Sequence, residues 1–128
     1  MLAITREWVE KAEEDFSVAV GLSRRRKNRA PNVQSFHCQQ SVEKYLKARL
    51  IEAGAVPPKT HHLPQLLQLA LAHEPMWAAF MPAAKYLAQF AVIYRYPGSD
   101  ATAAQAKRAL EICRDFRREA RAALGLAL

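Results

Sequence analysis

Residues 36–50 read FHCQQSVEKYLKARL, and this stretch decides the fold. With its flanks it places Phe36, Gln40, Tyr45 or Lys44, Leu46, Leu50 and Ile51 at helical spacing, which predicts a helix from Val33 to Ala53. Gly54 is suited to the position just past the C-cap, where a left-handed backbone is common. A second set, His37, Gln40, Glu43, Lys44 and Lys47, recurs at steps of three and four, so several of its members share one face. Polar residues in that pattern form a solvated face, a small buried network or a ligand-contacting surface, and spacing does not choose among them. Glu43 and Lys47 are also an ordinary i,i+4 ion pair, worth roughly a few tenths of a kcal/mol.

The segments on either side are helical too. Trp8, Ala12, Phe16, Ala19 and Leu22 lie along one face of a predicted helix from Thr5 to about Leu22, with Thr5 as its N-cap. The next residues, SRRRKNRAPN, place five cations among the six positions from Arg24 to Arg29 and end in a proline and an asparagine. They predict a helix end followed by a basic loop, either solvated and complementing the helix dipole or binding an anion. AVPPKTHH is an extended connection, because a diproline cannot continue a helix. A short third helix starts near Pro64 and carries Leu66, Leu67, Leu69, Ala70 and Leu71. A fourth runs from Met76 or Pro82 to Ile93 with Trp77, Phe80, Leu87, Phe90 and Ala91. After Pro97-Gly98, Ser99 or Asp100 caps a last helix whose stripe is Ala106, Leu110, Cys113, Phe116 or Arg117, Ala120 and Leu124. No alternating β-branched run competes with these segments. They predict an all-α fold, an antiparallel four- to five-helix up-and-down bundle, formed as one domain over residues 1–128.

Composition bounds the function without naming it. The chain has 128 residues, is 51% hydrophobic and carries a formal charge of +7, which suits nucleic acid, nucleotides or an acidic protein as partner. No window approaches a membrane span and no basic segment leads into a long apolar run, so a cytoplasmic protein without membrane contact is expected. Cys38 and Cys113 lack metal-ligand spacing and are expected as buried free thiols. His61 and His62 are adjacent in a connection, without the helical geometry of a metal pair. No metal and no cofactor is expected. There is no nucleophile elbow and no glycine-rich phosphate loop. What remains is RYPGSD, residues 95–100, where a proline-glycine break leads into a helix N-terminus beside Arg95, Tyr94 and Tyr96. A cation, aromatic rings and free helix amides together can hold a phosphate and stack a base.

The order Trp8, Ala12-x-x-Asp15-Phe16-x-x-Ala19, then FHCQQSVEKYLKARL, then PPKTHHL, then YRYPG resembles the HEPN domain family, the higher eukaryotes and prokaryotes nucleotide-binding family. The resemblance covers nearly the whole chain. It implies a helical bundle, usually a homodimer, often paired with a minimal nucleotidyltransferase in a toxin-antitoxin system. It also implies binding of nucleotide or RNA and, in many members, metal-independent RNA cleavage by an arginine followed four to six residues later by a histidine. In such a pair the arginine stabilises phosphate charge and the histidine transfers a proton. The motif arginine falls on Arg95, but the histidine positions hold Asp100, Ala101 and Thr102. The expectation is therefore a nucleotide- or RNA-binding module without an intact ribonuclease motif, its site comprising Arg95, Tyr96, His37, Lys44, Lys47 and Asp100. The alternative is a ribonuclease that keeps Arg95 and uses a substitute base, His37 being the nearest. Pro64, a few residues after Thr60, delays the third helix and leaves Lys59, Thr60 and His61 to fix a corner beside the second.

Overall fold

The computed structural model describes residues 1–93 and 96–128, and these form helices without any strand. Helix α1 spans Ala3–Ser23, α2 Pro31–Glu52, α3 Leu63–Ala70, α4 Met81–Ala88, α5 Phe90–Ile93 and α6 Ala103–Ala123, with a 3-10 turn at Pro75–Phe80 before α4. Helix α2 is the axis of the bundle and packs against all the other helices, most extensively against α1 and α6. It runs antiparallel to α1, since Asp15 meets His37 near one end while Thr5 meets Glu52 at the other. It runs parallel to α6, since Asn32 holds Asp100 and Tyr45 reaches Arg121. The chain thus goes up, down, up and down, as expected of the bundle, with the third leg broken into pieces.

That third leg is broken for a local reason. Gly54, with φ of 84°, closes α2 in a double C-terminal turn, its amide bonding Ile51 O and the Ala55 amide bonding Leu50 O. The proline-rich connection then climbs back along α2, where Gln39 donates to the His61 carbonyl. Helix α3 descends again, bringing Glu74 to Arg49 at 3.0 Å. Only the segment from Pro75 onward rises along α6, with Trp77 and Phe80 against Phe116 and the Tyr86 hydroxyl donating to the Gln105 carbonyl. The fourth helix expected over Met76 or Pro82 to Ile93 is therefore a 3-10 turn followed by two short helices.

The core confirms the apolar stripes with shifts of one position, except on α3, where Leu69 of the expected apolar side is 45% exposed. On α1 the buried line is Thr5, Val9, Ala12, Asp15 and Ala19, while Trp8 and Phe16 flank it half-buried. Lys47 lies over the Trp8 ring and Arg117 over the Phe16 ring, so both aromatics face cations. On α6, Phe116 and not Arg117 enters the core. Two expected caps are corrected. Thr5 is not an N-cap: it sits inside α1 and donates to Glu52, whose carboxylate also receives the Leu2 amide. Neither Ser99 nor Asp100 caps α6: Thr102 does, in a reciprocal box with Gln105. The side chain of Gln105 reaches back to the Thr102 amide, which fixes the helix start at that residue.

Candidate functional site

The polar face of α2 is a buried network and not a solvated surface. Asp15, 7% exposed, projects from α1 between two residues of α2, accepting from His37 Nδ1 at 2.7 Å and from Lys44 Nζ at 2.5 Å. The carboxylate fixes the imidazole, so the proton on Nδ1 points at Asp15 and Nε2 is the nitrogen left for other partners. Phe36 sets its ring edge-on against His37 at 5.5 Å. One turn along, Glu43 is 2% exposed and gathers Lys47 at 3.1 Å, His61 Nδ1 at 3.0 Å, Gln39 at 3.2 Å and Gln40 at 3.4 Å. The Glu43–Lys47 pair is therefore not the exposed helix pair that spacing suggests. Both partners are desolvated, and the pair holds its ground through the extra donors around it. His61 anchors the connection to α2 by this bond, as expected for that corner, and its side chain is largely exposed.

A second charged network locks α1, α2 and α6. Glu13 accepts from Arg117 at 2.8 and 2.7 Å and from the Tyr45 hydroxyl at 2.6 Å, with Arg121 at 3.4 Å. Burial alone would raise the Glu13 carboxyl, but the bonds from Arg117 and Tyr45 and the charges of both arginines outweigh it and leave the group below its ordinary value. Burial, with the neighbouring Glu13, pushes the Tyr45 hydroxyl up. Cys38 and Cys113 are free and fully buried, as expected. The Cys38 thiol is raised by its hydrogen bond with Cys113 and then by burial, so it behaves as an inert core residue.

A large concavity lies elsewhere, at the end of the bundle where α2 and α6 both begin. It is an open cleft of about 500 Å³ lined by Ser23 at the end of α1, by Arg29 in the loop that follows, by Pro31 and Gln34 on α2, and by Ala103, Ala104, Lys107, Leu110 and Arg114 on α6. Three lining residues are cations and none is acidic. Arg29, Lys107 and Arg114 take part in no salt bridge among the described residues. The lining also includes Pro31, Leu110, Ala103 and Ala104, so the cleft pairs apolar surface with positive charge. Asn32 ties its upper edge, donating to Asp100 at 2.8 Å and accepting the Ala101 amide at 2.6 Å.

The sequence-predicted site residues thus separate into groups. His37 and Lys44 converge on Asp15, while Lys47 serves Glu43. Asp100 is exposed and holds Asn32 at the corner before α6, and Tyr96 is 65% exposed. Arg95 and Tyr94 lie outside the described residues. Lys107 and Arg114 were not singled out by sequence reasoning. Their signal was their place on the polar side of α6, but nothing in the sequence tells which exposed cations of an arginine-rich helix border a cleft. Among the described residues no group of His, Cys, Asp and Glu is arranged to hold a metal, and no helix is long and apolar enough to cross a membrane.

The described residues form an all-helical bundle in which α2 meets two buried carboxylates, Asp15 and Glu43, with a cation-lined cleft at the start of its last helix. The chain belongs to the HEPN domain family, whose model matches residues 5–122. Membership associates it with nucleotide- and RNA-related functions. No curated protein and no solved structure matches it significantly.

Proposed function

We propose that this HEPN chain binds a nucleotide or RNA in the basic cleft between the N-terminal ends of α2 and α6, without an intact arginine–histidine ribonuclease motif. The observation that carries the reading is the set of three cations without acidic partners, Arg29, Lys107 and Arg114, beside apolar lining residues in a cleft of about 500 Å³. Guanidinium and ammonium groups without carboxylate partners are free to exchange counterions for phosphate. Arg95 and Tyr96 precede α6 in sequence, and this reading assigns them phosphate and base contacts, while Asp100 holds Asn32 at the corner before the helix. His37, Lys44 and Lys47 contribute less charge to a ligand, because each is engaged with a buried carboxylate. A homodimer and a minimal nucleotidyltransferase partner in a toxin-antitoxin pair belong to the same reading. Light scattering and co-purification with such a partner test them.

The direct test is fluorescence anisotropy of labelled RNA against wild type and a Lys107→Ala, Arg114→Ala double variant. Weaker binding is expected, with the slope of log affinity on log salt shallower by about 0.7 for each single-strand phosphate that the variant no longer neutralises. Unchanged affinity and slope would remove the cleft from the site. A second reading, metal-independent RNA cleavage with His37 as acid or base, is favoured by one contact: Asp15 holds His37 Nδ1 at 2.7 Å, as an orienting carboxylate holds a proton-transfer histidine. It requires cleavage in EDTA that disappears in both His37→Ala and Asp15→Asn. Cleavage that persists in either variant refutes it.

A further inference from the structure

We propose that His37 is a phosphoryl-acceptor site: its Nε2 takes a phosphoryl group from a small anionic donor, a phosphoramidate or an acyl phosphate, with Asp15 as the positioning residue. The inference rests neither on the cleft nor on RNA cleavage, and no RNA enters its test. The side chain of His37 is 25% exposed, whereas that of Asp15, which accepts from Nδ1 at 2.7 Å, is 10% exposed. A neutral imidazole carries one ring proton. Asp15 fixes that proton on Nδ1, so the lone pair is on Nε2, which makes no hydrogen bond among the described residues. The other oxygen of the same carboxylate accepts from Lys44, whose side chain is 22% exposed. A half-open ammonium group therefore lies beside the ring, where it attracts an anionic donor.

The transfer balances without any further reactant. The Nε2 lone pair forms a bond to phosphorus while the bond from phosphorus to the leaving group breaks. With the phosphoramidate monoanion, the leaving nitrogen departs as ammonia, keeping the protons it already carries. The ring keeps its Nδ1 proton and so gains one positive charge. Asp15 sits on Nδ1, where it stabilises that charge as an orienting carboxylate stabilises an imidazolium. The product is a phosphoramidate at Nε2. The other histidines supply the contrast. His61 also meets a carboxylate, at 3.0 Å, but Glu43 is shared with Lys47, Gln39 and Gln40 and has less to give to a new charge on the ring. His62 and His73 are exposed and take part in no salt bridge among the described residues. Exposure alone would put His61, His62 and His73 ahead of His37. Support from a carboxylate with spare capacity puts His37 first.

The test incubates wild type, His37→Gln and Asp15→Asn with potassium phosphoramidate under mildly alkaline conditions. Intact mass follows the gain of a phosphoryl group, peptide fragmentation by electron transfer locates it, and acid lability identifies it as phosphohistidine. The expected result is modification of wild type at His37 ahead of the other three histidines, and its loss from His37→Gln. Asp15→Asn should slow the reaction at His37 by roughly 10- to 100-fold, the rate equivalent of one charge-assisted hydrogen bond, while His62 and His73 of the same molecules keep their rates. Those two rates serve as an internal standard, and circular dichroism verifies that each variant is folded. The comparison among histidines in wild type stands even where a variant fails to fold. Modification of His61, His62 or His73 as fast as His37 in wild type, or an undiminished rate at His37 in folded Asp15→Asn, overturns the proposal.

Discussion

Replacing Glu13 by alanine tests the charged lock that joins α1, α2 and α6. The substitution removes the acceptor of two Arg117 bonds and of the Tyr45 hydroxyl, and it leaves Arg117 and Arg121 without their shared counter-charge. Charge-assisted bonds are worth about 1.5–3 kcal/mol when well shielded. The Glu13 side chain is 30% exposed, so solvent screening reduces each, and a total loss of roughly 2–3 kcal/mol is expected. For a chain of this size one kcal/mol moves the Tm by roughly 4 °C, so calorimetry should show a fall of about 8–12 °C. The dependence on pH supplies a sharper check. The folded Glu13 carboxyl lies below its ordinary value of 4.5, so the unfolded chain takes up the proton first as pH falls. The stabilisation is fully present above that ordinary value and is lost as pH falls through the depressed one. The gap between wild type and Glu13→Ala should therefore narrow below pH 4.5. A gap under about 0.5 kcal/mol at neutral pH, the size of an ordinary surface change, or a gap that stays constant into acid would refute the reasoning.

Three further outcomes follow from particular contacts. Glu43→Ala strands the buried Lys47 ammonium and should cost about 3–5 kcal/mol in urea unfolding, whereas Glu43→Gln with Lys47→Met should cost far less because no charge is left unpaired. Ala30→Gly should stabilise by up to roughly 1 kcal/mol, since a left-handed φ of 48° strains any side chain there; a destabilised variant in a denaturant series would contradict this. Asn32→Ala removes the bonds to Asp100 and the Ala101 amide and should cost about 1–2 kcal/mol, with faster hydrogen exchange at Ala101 as the local sign.

Much of the fold was legible in the residues because helical periodicity is local. The stripe of Ala106, Leu110, Cys113, Phe116 and Ala120 on α6 is buried as its spacing implies, and Gly54 closes α2 as a glycine at that point should. The caps of α1 and α6 were misplaced because caps are contested by partners. Glu52, remote in sequence, satisfies the start of α1, and Thr102 succeeded over Asp100 because Gln105 stands three residues on. The family was legible as well, through four motifs in order, and the loss of the motif histidine after Arg95 could be read from the sequence alone.

The candidate site was less legible. That His37, Lys44 and Lys47 share a side of α2, and that Lys47 pairs with Glu43, follows from spacing, but the engagement of His37 and Lys44 with Asp15 and the burial of the Glu43–Lys47 pair depend on how α1 and the 54–62 connection pack against that side. The cleft depends still more on assembly, since Arg29 is remote in sequence from Lys107 and Arg114, which share α6, and meets them only because α2 and α6 start at the same end of the bundle. By itself the sequence determined the helices, the family, the net charge and the missing histidine, all of which are set by residue identity and short-range spacing. Only the tertiary structure decided which charges are neutralised in the interior and which remain free around a cavity, because desolvation and ion pairing are properties of neighbours brought together in space.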